Sequence, residues 1–97
     1  MMRKLFAVTR VRGPIWEEAI SMEQQDSWRS HADFMNSLQE EGFVVLGGPL
    51  NGTSEVLLII SAESEDQIHA RLSSDPWGPR MLTTARIAGW TLRIGHL

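Results

Sequence analysis

The stretch from Leu5 to Val11 is dense in apolar and β-branched residues and is broken by Gly13-Pro14, which predicts a first strand. Pro14 suits the first turn of a short helical piece through Trp16 and Ile20, with Ser21 to Gln25 as a loop. From Trp28 the period changes. At about 100° per residue, Trp28, Ala32, Phe34, Met35 and Leu38 share one broad stripe, with Arg29, Asp33, Asn36 and Glu40 mostly off it. This predicts a helix capped by Asp26 or Ser27 and running to about Glu41, where Gly42 supplies a left-handed terminus. His31 falls within the apolar stripe.

Phe43 to Leu46 and Val56 to Ile60 read as two further strands, joined into a hairpin by the segment Gly47 to Thr53 with its Asn51-Gly52 turn signal. Ser64-Glu65-Asp66-Gln67 has the capping-box pattern, and Ile68 and Leu72 follow one turn apart, so a second helix is expected to about Ser73, stopped by Pro76. Trp90, Leu92 and Ile94 alternate with Thr91 and Arg93, which predicts the last strand.

The order strand, helix, strand, strand, helix, strand is that of a ferredoxin-like βαββαβ unit, an α+β fold with a four-stranded antiparallel sheet and both helices on one face. The chain of 97 residues suits a single domain, 1–97. Phe43-Val44-Val45-Leu46 and Val56-Leu57-Leu58-Ile59-Ile60 do not alternate, so both sheet faces want cover and two helices can bury only one. A second copy packed sheet to sheet would bury the other, which predicts a homodimer paired as a dimeric α+β barrel.

Composition narrows the function classes. The 42% hydrophobic and 22% charged content is that of a globular chain, and a net charge of -3 without a basic run offers no grip on a phosphate backbone, so no nucleic acid partner is expected. The sequence has no cysteine, no bilayer-length apolar run and no signal-peptide h-region, so a cytoplasmic location and no membrane partner are expected. His69 and His96 have no partner at a metal-ligand spacing, and no Gly-x-Gly-x-x-Gly or phosphate-loop pattern is present, so neither metal nor cofactor is expected.

In the split βαβ topology the first turn of helix one, the central hairpin and the exit of helix two lie at the same end of the sheet. His31, Gly47, Gly48, Pro49 and Asp75 should therefore meet there. Other readings stay open at each position. His31 can be a hydrogen-bonded histidine on a buried helix face. Asp75, ahead of Pro76 and Trp77, can cap a short helix. The glycine pair can serve a tight bend, and the tryptophans at 16, 28, 77 and 90 can be core or interface mass.

Trp28 to Phe34 with His31, the run Glu41-Gly42-Phe43-Val44-Val45-Leu46-Gly47-Gly48-Pro49-Leu50, the tract Asp75-Pro76-Trp77 and the closing segment around Trp90 together resemble the YCII-related family over most of the chain. Trp77 stands where that family more usually has tyrosine. The resemblance implies a dimeric α+β barrel, similar in fold to muconolactone isomerase, with His31 and Asp75 facing each other as catalytic pair and Trp28, Gly47, Gly48, Pro49 and Trp77 as ligand-binding residues. One characterised member type is a dehydrochlorinase of chlorinated, hydroxylated aromatics. The expectation is a cofactor-independent lyase or isomerase that moves protons on a small hydroxylated or carbonyl-containing molecule, with a non-catalytic dimeric small-molecule-binding or accessory module as the alternative.

Overall fold

The computed structural model describes residues 3–97. Strand β1 (Lys4–Arg12) lies near the middle of the sheet, paired antiparallel with β3 (Glu55–Ala62) on one side and β4 (Leu82–Gly89) on the other. Strand β2 (Val44–Pro49) pairs antiparallel with β3, giving the order β2-β3-β1-β4. With helices α1 (Trp28–Glu40) and α2 (Glu65–Leu72), this is a small α+β architecture compatible with a ferredoxin-like fold.

Alternation along β1 sends Phe6, Val8 and Arg10 to the helix-covered face. There Phe6 and Val8 join Leu58, Ile60, Ala62, Phe43, Val44, Leu38, Ile68 and Leu72 in the main core. Helix α1 ends as its sequence indicates. Gly42 takes φ +80°, Gly42 N–H donates to Gln39 O, and Phe43 N–H donates to Leu38 O, which satisfies the last carbonyls and seats Phe43 against Leu38. Helix α2 starts with Ser64 Oγ accepting from Gln67 N–H at 3.1 Å. The Gln67 side chain reaches back to Glu63 N–H at 2.8 Å rather than to Ser64.

The expected short helix after Pro14 does not form. Gly13 N–H donates to Met81 O and Ile15 N–H to Arg80 O, so the backbone here is bonded sideways to the chain before β4, with single local turns such as Trp16 N–H to Gly13 O in place of a helix. Gly13 has a steric role there, because a Cβ would overlap the Arg80 carbonyl. The segment read as loop holds a short 3-10 turn, Met22–Gln24, in which Gln24 Oε1 accepts from Ser21 N–H. Beside it the buried Gln25 accepts from Glu17 N–H at 3.1 Å and donates to Glu17 O at 2.7 Å, doing for this loop what helical bonds would have done.

The last strand also differs from the expected one. It is Leu82–Gly89, and the alternating Trp90, Leu92 and Ile94 lie beyond it. The partner's length decides this. Pairing begins at Arg12↔Leu82 and reaches Phe6↔Gly89, and after Trp90 N–H donates to Leu5 O little of β1 remains to bond. Ile94 is accordingly 90% exposed. In the hairpin, Gly47, Gly48 and Pro49 belong to β2 rather than to the connection, and the turn residue Gly52 takes φ +78°. The irregularity in β2 falls between Val44 and Leu46, so the glycine pair does not make the bulge.

No helix among the described residues is long and apolar enough to cross a membrane.

Candidate active site

Helix α1 enters through Ser27, whose φ of 63° is left-handed and whose side chain makes no cap; Asp26 makes none either. Instead the Asp26 carbonyl accepts from Trp77 Nε1 at 2.6 Å, tying the start of α1 to the segment after α2. His31 N–H donates to Ser27 O, which sets His31 one turn into the helix with its ring turned inward. From the other direction, α2 ends and Asp75 N–H donates to Leu72 O, which brings the Asp75 carboxylate under the same ring. His31 Nδ1 lies 2.8 Å from Asp75 Oδ1 and 3.0 Å from Oδ2, across 44 residues of sequence.

Three further groups hold this pair. Arg10 Nη1 donates to Asp75 Oδ2 at 2.9 Å, and its Nη2 to Leu82 O at 3.3 Å. Trp77 N–H donates to Asp75 Oδ1 at 2.9 Å, so the aspartate does close a local turn, although no helix follows it. The Trp77 indole stacks on the His31 ring, with centroids 3.8 Å apart and planes 12° from parallel. Burial pushes the Asp75 carboxyl up, but the bonds and charge from His31, the Trp77 N–H and the Arg10 guanidinium together hold it below its ordinary value of 3.8. An ionised Asp75 can only accept, so Nδ1 carries the hydrogen and the neutral ring keeps its lone pair on Nε2.

Nε2 makes no hydrogen bond to any described residue. It is not among the polar atoms sealed without a partner, which for the described residues are Arg10 Nε and Arg12 Nε. His31 forms part of the wall of a cavity of about 500 Å³, and Asp75 lies behind that wall. Trp28, Trp77, Gly47, Gly48 and Pro49 line the same cavity, so every site residue expected from sequence converges on one place. Gly47 is small because a Cβ would strike the Leu58 side chain at 2.6 Å; Gly48 has open space where its Cβ would be. Trp16 joins Trp28 and Trp77 in the wall, with Trp16 edge-on to Trp77 at 5.4 Å, whereas Trp90 lies outside it.

Sequence reading missed Arg10. The available signal was its place in the alternation Phe6, Val8, Arg10, which puts a cation on the inward face of a central strand, where a buried acid is needed. His69 and His96 are exposed, and no group of three or more metal-ligating side chains occurs among the described residues.

The assembly can take a proton at Nε2 from a molecule in the cavity and hold the resulting imidazolium against an ionised, doubly anchored carboxylate. Compared with known proteins, the chain matches no family model and no curated sequence.

Proposed function

We propose that the protein is a cofactor-independent lyase or isomerase of the YCII-related type, acting on a small hydroxylated or carbonyl-containing molecule, with His31 as base and acid. The observation that carries this reading is His31 in the cavity wall, held at Nδ1 by the buried Asp75 and with no partner at Nε2 among the described residues. Nε2 takes a proton from carbon next to a carbonyl, and the electron pair of that C–H bond becomes the π bond of an enolate. The imidazolium then returns the proton to a different carbon, giving isomerisation, or to a departing group as the double bond forms, giving elimination. Asp75 keeps the ring in the required tautomer, and Arg10 positions Asp75.

Pairing of two copies through the uncovered sheet face belongs to the same proposal. Leu46, 56% exposed, lies on that face together with the half-buried Leu5, Ala7 and Leu57, an apolar surface suited to a second sheet. Light scattering should give a dimer mass, and Leu57→Lys a monomer.

The catalytic reading is tested by screening enolisable and halogenated hydroxy-aromatic compounds with wild type and His31→Ala. Turnover should fall by roughly a hundredfold or more in the variant. Turnover that survives the substitution removes His31 as the base and leaves the non-catalytic binding module as the better reading.

A further inference from the structure

The wall of the cavity carries three cationic or basic side chains, Arg10, Arg12 and His31, and no aspartate or glutamate, in a chain with 12 acidic residues and a net charge of -3. Two of the three are committed to Asp75. Arg12 is not. Its guanidinium makes no hydrogen bond to any described group, and its nearest carboxylate, Glu18, stands 3.9 Å from Nη1 on a largely exposed side chain, beyond hydrogen-bond reach. Arg12 is itself mostly buried, and its Nε is sealed from water without an acceptor. Its charge is therefore held at the cavity with only a long, solvent-screened ion pair to Glu18 to balance it.

The head group is also fixed in place. It lies over the Trp16 ring, 4.5 Å from the centroid, which orients the planar fork and reduces the ordering cost of binding. Arg12 follows Arg10 by two residues on the same strand and face, about 6–7 Å further along. Trp28, Met22 and Val56 line the same cavity as Arg12 and His31.

We propose that the cavity takes a small carboxylate with a flat, unsaturated body. The terminal nitrogens of Arg12 grip the carboxylate, and the body lies along the tryptophan-lined wall with its reacting carbon toward His31. This deepens the proton-transfer reading by naming the substrate class, and as a statement about substrates it rests on that reading; carboxylate binding is measurable without turnover.

The test is calorimetric titration of wild type, Arg12→Gln and Arg12→Lys with two matched pairs, cinnamate against cinnamamide and 2-hydroxybenzoate against 2-hydroxybenzamide. In wild type the acids should bind more tightly than their amides by roughly tenfold to a hundredfold, the value of charge-assisted hydrogen bonds to one head group. Arg12→Gln should abolish that preference, the acids losing roughly tenfold or more in affinity and the amides less. Arg12→Lys, which keeps the charge and stem but loses the fork, should retain part of it. Equal binding of acid and amide in wild type, acid binding untouched by either substitution, or no saturable acid binding overturns the proposal; the wild-type comparison needs no variant to fold. Arg12-dependent acid binding without His31-dependent turnover would sink the catalytic reading and leave the carboxylate site standing. His31-dependent turnover of neutral compounds, without any acid preference, would do the reverse.

Discussion

The cluster around Val8, Ile60 and Ile68 meets an ionisable side chain only at its rim, where Arg71 lies over Phe43, whereas the one around Trp16, Trp77, Met81 and Leu82 adjoins the buried Arg10, His31 and Asp75. The first is made of helix and strand faces meeting at regular periods. The second gathers the irregular segments 13–27 and 73–81 against the adjoining ends of β1, α1 and β4. Apolar contacts are interchangeable within limits of volume, so the first cluster confers stability without specifying chemistry. Buried charges need full pairing at defined atoms, so the second fixes one geometry around Asp75 and gains less stability for it.

Breaking that pairing should have the largest effect. Asp75→Ala leaves Arg10 buried without its anion and should cost about 3–5 kcal/mol of stability in urea unfolding. Replacing both partners, as Arg10→Met with Asp75→Leu, should recover much of that loss while turnover stays absent. Recovery would show that the ionic cluster is kept for its chemistry, and no recovery would erase the contrast between the regions.

The same carboxylate should make the ionic region the acid-labile one. Its folded value lies below 3.8, so the unfolded chain takes up the proton first. The stability that this group contributes is fully present above 3.8 and is lost as pH falls through the folded value. The gap between wild type and Asp75→Asn should therefore narrow on acidification below 3.8, as followed by urea midpoints.

In the apolar region, Ile68→Ala should cost about 2–5 kcal/mol through a cavity in fully buried packing, yet leave ligand affinity in calorimetry unchanged. The smallest effect should come from Ser64→Ala, which removes the cap of α2 and should cost roughly 1 kcal/mol in thermal unfolding. Affinity that shifts with either substitution would mean that the two clusters are not separable.

What could be read from sequence follows the same division. Helix α1 with its Gly42 terminus, helix α2 with its Ser64 start and the β2–β3 hairpin are set by neighbours within a few residues, and the patterns found them. The piece after Pro14 misled because the bonds from Gly13 and Ile15 go to residues 81 and 80, which no local pattern registers. Trp90 to Ile94 misled because alternation states a preference for strand but says nothing about whether a partner remains to pair with. Arg10 went unnoticed because its meaning depends on an aspartate 65 residues away.

Taken alone, the amino-acid sequence determined the periodic elements, the Ser64 and Gly42 termini and the meeting of His31, Asp75 and Gly47 to Pro49 at one end of the sheet, since these follow from short-range sterics and from element order. Only the tertiary structure decided which eight residues make β4, how Arg10 and the Trp77 N–H share the Asp75 oxygens, and that Arg12 stands over Trp16 with no hydrogen bond to a described group. Those outcomes depend on distances of a few ångströms between groups far apart along the chain, and close packing in three dimensions is what sets such distances.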